Sequence, residues 1–122
     1  GDIYFIQRGY AARGIDGASA EDYCYLLSRA LFSDPVAYAK ALARSTADDE
    51  AVQTLIMGGT AYGADYYPTD CETAVSALDA AINANALTAE ETGWAKLLRY
   101  YLANPNDGYY ADYPKTPAEL EN

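Results

Sequence analysis

The chain has 122 residues, enough for one compact domain and too few for two ordinary ones. It holds only 11 Leu, 5 Ile, 3 Val and 2 Phe against a net charge of -10, a profile close to that of disordered chains, yet 24 Ala and 13 Tyr bring the apolar share to 51%. With no His, neither a Ser-His-Asp or Cys-His nucleophilic site nor a His-ligated zinc can be built, and two cysteines cannot close a four-thiolate zinc site.

The chain opens Gly1-Asp2 and its one Met is Met57, so the first residue does not read as a natural start. The expectation is that a segment such as a signal peptide or lipid anchor precedes it, which points to an extracytoplasmic location. Ile3 and Ile6 suggest a first helix over 2–13, with a strand at Ile3-Tyr4-Phe5-Ile6 as the alternative. Ser19-Ala20-Glu21-Asp22 reads as an N-cap with an acidic first turn. It opens a helix over 20–32 with Tyr23, Leu26, Leu27, Ala30 and Leu31 as its stripe. Asp34-Pro35 places a cap before a proline at the first helical position. The helix that follows, 35–44, carries Val36, Ala39, Leu42 and Ala43.

Thr46-Ala47-Asp48-Asp49 is a near capping box for a helix over 47–61, with Val52, Leu55, Ile56 and Gly59 on one face. Gly58-Gly59 costs about 1 kcal/mol per glycine inside a helix, so the pair either stops it or permits close helix contact. The stripe runs on to Tyr62, which predicts continuation with a kink. Thr69-Asp70-Cys71-Glu72 and Thr88-Ala89-Glu90-Glu91 are full capping boxes. They open helices over 70–85, with Cys71, Ala74, Val75, Leu78, Ala81 and Ile82, and over 89–104, with Trp94, Leu97, Leu98, Tyr101 and Leu102. Asn104-Pro105-Asn106-Asp107-Gly108 ends the last long helix, and Thr116-Pro117-Ala118-Glu119 opens a short final turn. The predicted fold is all-α, one domain over 1–122 of five to six short helices, antiparallel because their connections are short.

Eleven of the 18 acids fall at predicted helix starts: Glu21, Asp22, Asp34, Asp48, Asp49, Glu50, Asp70, Glu72, Glu90, Glu91 and Glu119. Arg29, Arg44, Lys96 and Arg99 sit toward helix ends. Both placements complement the helix dipole, at roughly 0.3–1 kcal/mol each. The bases are scattered and the charge is acidic, which argues against nucleic acid and against anionic lipid. No apolar run approaches the ~20 residues of a membrane span.

Shifted by about one helix pair, segments match. Thr46-Ala47-Asp48-Asp49 aligns with Thr88-Ala89-Glu90-Glu91, and Tyr62-Gly63-Ala64-Asp65-Tyr66 with Tyr109-Tyr110-Ala111-Asp112-Tyr113. Ile3, Ile6, Gly9, Ala12, Gly14 and Asp16 align with Val52, Leu55, Gly58, Ala61, Gly63 and Asp65. This pattern is similar in size to the HEAT or armadillo class of helical repeats. The alternative is an irregular helical bundle.

Two corners stand out: Tyr62, Asp65, Tyr66 and Tyr67, then Tyr109, Tyr110, Asp112 and Tyr113. A tyrosine buries a ring while its hydroxyl needs a partner, which suits domain edges and interfaces. One reading is structural: the rings close the ends of a small core while Asp65 and Asp112 cap adjacent helices. The other is a recognition surface, where aromatic faces and carboxylates suit glycans or basic peptides and do not suit phosphate. No carboxylate pair is specified for glycoside hydrolysis, and Asn104, Asn106, Asp107 and Gly108 lack the spacing and distal Glu of a calcium loop. Neither a cofactor nor a metal is expected. Cys24 and Cys71, each early in a helix, are predicted to be buried free thiols. The expected function is a non-enzymatic interaction module that binds a protein, peptide or glycan through the tyrosine corners. The alternative is a structural or oligomerising scaffold without a ligand.

Overall fold

The computed structural model describes residues 17–44, 56, 58–60, 63–105, 114 and 116–121, with the side chains of 17–21 and 23 outside that description. The expected helix over 2–13, the start at Thr46 and most of 47–61 lie outside the described residues. What is described is helical, with no strand among the described residues. Five helices are assigned: α1 (Gly17–Ser33), α2 (Pro35–Ala43), α3 (Pro68–Asn83), α4 (Ala89–Ala103) and α5 (Pro117–Glu121). Residues 58–60 and 63–66 are helical as well, so helical backbone runs through Gly58-Gly59.

Local chemistry sets several of the boundaries. Asp34 caps α2 by accepting from the Ala37 amide at 3.0 Å, and Pro35 sits inside the first turn. Thr88 and Glu91 close a reciprocal box at the start of α4, with bonds of 3.0 and 3.1 Å. Asn104 ends that helix, its side-chain amide donating to the Tyr100 carbonyl. The Glu119 amide donates to Thr116 Oγ1 at the start of α5.

Two expected starts are corrected. α3 begins at Pro68, and its cap position is Tyr67, which makes no side-chain cap bond. Thr69 therefore lies inside the helix, where its carbonyl accepts from the Thr73 hydroxyl. Proline has no amide to satisfy and a φ already helical, so it takes the first position and pulls the start ahead of Thr69. Likewise α1 begins at Gly17, so Ser19 is inside it and no acid occupies its first turn. Glu21 and Asp22 therefore fall within α1, and Glu72 falls beyond the first turn of α3. Arg29, Lys96 and Arg99 fall short of their helices' last turns, and the base in the last turn of α2 is Lys40.

Helix α3 stops with Asn85 in the left-handed region, at φ 54. The Asn85 amide donates to the Ile82 carbonyl and the Ala86 amide to the Ala81 carbonyl, a Schellman closure that satisfies the last carbonyls. Asparagine tolerates this conformation better than most residues. The short turn sends α4 back along α3, so Cys71 sits near Leu102 and Val75 near Arg99. Arg99 also pairs with Asp79 across these helices at 2.5 Å.

Helix α4 lies at the centre, packed on α2, α3 and α5, while α1 touches α2 and α3. Its Ala95, Leu97, Leu98, Tyr101 and Leu102 meet Leu78 and Ala74 of α3 and Tyr38, Ala39 and Leu42 of α2 in one buried cluster. The α1 stripe is shifted from its expected place. Leu27, Ser28 and Leu31 are buried, whereas Leu26 is 46% exposed. Ser28 enters the core because its hydroxyl donates to the Tyr25 carbonyl one turn earlier.

Candidate functional site

The first tyrosine corner leads from residues 63–66 into α3, and the structure splits it. Tyr66 is 63% exposed and Asp65 is also exposed. Tyr67 is half-buried, and its ring stands edge-on to Phe32 at 6.2 Å and 73°. Its amide donates to the Gly63 carbonyl and its carbonyl accepts from the Cys71 amide, which links the corner to the first turn of α3. Asp65 does not cap α3, since the cap position belongs to Tyr67. Tyr62, Tyr109, Tyr110, Asp112 and Tyr113 lie outside the described residues. Of the expected set, Asp65, Tyr66 and Tyr67 are described; they are consecutive in sequence, the first two exposed and the third packed against Phe32.

Beside this corner runs a groove of about 450 Å³. One wall is Ala64 and Pro68, the residues that bracket Asp65, Tyr66 and Tyr67. The other wall is Leu102, Ala103 and Pro105 at the end of α4, just before the second corner in sequence. Cys71, Glu72 and Val75 of α3 complete the lining. The antiparallel α3–α4 pair produces this arrangement, because the start of one helix lies beside the end of the other.

A tether joins Pro114 to α4. The Tyr101 hydroxyl, on a ring buried in the core, donates to the Pro114 carbonyl. The chain on both sides of residues 106–113 is thus held near the end of α4. Sequence reading placed Tyr101 on the apolar stripe and missed its hydroxyl as an anchor. The available signal was that a buried tyrosine hydroxyl needs a partner.

The cysteines are free thiols, with Cys71 buried and Cys24 half-buried, so Cys24 is less enclosed than expected. Burial pushes the Cys71 thiol up to about 11, with the Asp70 carboxylate adding to the effect. A thiol held protonated is a poor nucleophile, so Cys71 serves as an apolar surface of the groove. Burial also raises the Tyr38 phenol above its usual range, with Cys24 contributing. Among the described residues no cluster of three His, Cys, Asp or Glu could hold a metal ion. No described helix is long and apolar enough to cross a membrane.

A second groove of about 490 Å³ lies on the other side of Val75 and Ala103, which border both. It is lined by Lys96, Arg99 and Tyr100 of α4 and by Leu120 and Glu121 of α5. Compared with family models, with curated proteins and with solved structures, the chain matches none.

Proposed function

We propose that this chain is a non-enzymatic helical interaction module that binds a protein, peptide or glycan at the tyrosine corner beside the α3–α4 groove. The observation that carries the reading is the position of the groove, with Ala64 and Pro68 on one wall and Leu102, Ala103 and Pro105 on the other. A concave apolar surface next to an exposed aromatic ring and carboxylate is the usual form of a recognition site. Helix pairs of the HEAT or armadillo kind belong to the same proposal. Supporting this, α3 and α4 are joined by a tight turn and α2 packs against both. A scaffold role is the second reading, favoured by the edge contact of Tyr67 with Phe32.

The test is a screen of the whole chain against arrayed glycans and a peptide library, repeated with Tyr66→Ala. Tyr66 is 63% exposed, so the variant is expected to keep its far-UV circular dichroism and to lose the binding signal. Hits that Tyr66→Ala leaves unchanged, or a screen with none, overturn the reading in favour of the scaffold.

A further inference from the structure

The groove beside the corner is apolar at its floor and acidic at its edge. Cys71, Val75 and Leu102 present carbon and a protonated thiol, which give the hydroxyls of a sugar little to pair with. Glu72 lines the rim and is exposed, Asp65 is exposed next to Ala64, and Asp70 precedes Cys71 and reaches it electrostatically. Among the described residues no Lys or Arg lines this groove, whereas Lys96 and Arg99 line the neighbouring one. The contrast is local, since the two grooves share Val75 and Ala103. Among the described residues the one charged group in the lining of this groove is therefore the Glu72 carboxylate, while the neighbouring groove holds Lys96 and Arg99 with Glu121.

We infer that the α3–α4 groove takes a peptide segment of a partner protein in which an apolar side chain stands next to a Lys or Arg, the first filling the floor and the second pairing with Glu72 and Asp65. This rests on the proposed reading of the corner as a recognition site and names the class of its partner. The apolar contact supplies most of the affinity, because burying one Leu-sized side chain is worth more than an exposed ion pair. The carboxylates select the sign of the neighbouring charge.

Three short fluorescent peptides test it by anisotropy against the whole chain: alternating Leu and Lys, alternating Ser and Lys, and alternating Leu and Glu. The Leu/Lys peptide is expected to bind at least about tenfold more tightly than either of the others. Ala103→Trp, at an exposed rim position, is expected to fill the groove and abolish that binding while the far-UV circular dichroism stays unchanged. Glu72→Gln is expected to weaken it about two- to fivefold. Lys96→Gln, in the other groove, is expected to weaken it not at all.

Equal binding of the Ser/Lys peptide overturns the inference, since attraction to net charge then explains the signal. Unchanged binding by Ala103→Trp overturns it as well. If the Leu/Glu peptide or a glycan binds best and is lost with both Ala103→Trp and Tyr66→Ala, the partner class is wrong while the recognition reading stands. If no probe binds the chain in either experiment, both fail.

Discussion

Two sides of the core meet the shortage of branched aliphatics in different proportions. Around α4 the volume comes from side chains: Leu97, Leu98 and Tyr101, with Leu78 from α3, are all fully buried. Around α1 and α2, beside the buried Leu31, Tyr38 and Leu42, close backbone approach contributes as well. A Cβ at Gly58 would stand 2.6 Å from Leu27 Cδ1, one at Gly59 would stand 3.2 Å from the Tyr38 hydroxyl, and one at Gly63 would overlap the Phe32 ring. Three close glycines make the second side the more sensitive to atoms added, while α4 has Gly93, where a Cβ would stand 2.9 Å from Pro117 Cβ. Close packing makes atoms removed and atoms added both costly, through different mechanisms.

The largest expected effect breaks the first side. Leu98→Ala should lower unfolding free energy by about 2–5 kcal/mol in urea titration, because the cavity is enclosed on all sides. A loss below about 1 kcal/mol would show that α4 is not the centre of the core.

The second side is probed by additions. Gly63→Ala should cost about 1–2 kcal/mol, since the gain in helix propensity is outweighed by displacing the ring that also contacts Tyr67. Gly58→Ala clashes with the end of the flexible Leu27 side chain and meets Cys24 at ordinary contact distance, so a change of under about 1 kcal/mol is expected. Equal effects at the two positions would remove the distinction between a ring that resists and a methyl that yields.

The helix starts offer a sharper version of the same contrast. Thr88→Ala should lose about 1 kcal/mol, because it deletes a capping bond that is made. Thr69→Ala should change stability by no more than a few tenths, because Thr69 is a helical residue and its carbonyl survives the substitution.

The last expected effect is alkaline and appears only outside the neutral range. The Cys71 thiol ionises near 9.0 when unfolded and near 11 when folded. Between those values the folded state holds the proton that the unfolded state releases, so stability falls as pH rises through the window. Tyr38, raised by burial, adds a decline with the same sign as pH rises above 10.0, where the unfolded phenol ionises. Cys71→Ala should flatten the pH 9 to 11 part of the slope and leave the Tyr38 part. An unchanged slope would show that the thiol is not enclosed by the groove.

Much of the helical framework was legible because its signals are local. Asp34-Pro35, the Thr88–Glu91 box and the spacing of Leu97, Leu98, Tyr101 and Leu102 each act within one or two turns. Gly58-Gly59 was legible as a choice between stopping and close contact, and the contacts of Leu27 and Tyr38 decide for contact. Of the candidate site, the corner at Asp65, Tyr66 and Tyr67 was legible as aromatic and acidic. Its division into exposed Tyr66 and packed Tyr67 was not, since that depends on Phe32 arriving from α1.

The sequence alone determined that the chain is helical and where several of its helices start, because capping bonds and the 3.6-residue period join residues already adjacent along the chain. Only the tertiary structure decided which tyrosines are buried and that the ends of α3 and α4 enclose a groove. Those outcomes depend on surfaces distant in sequence meeting in space, and a local pattern carries no record of its eventual neighbours.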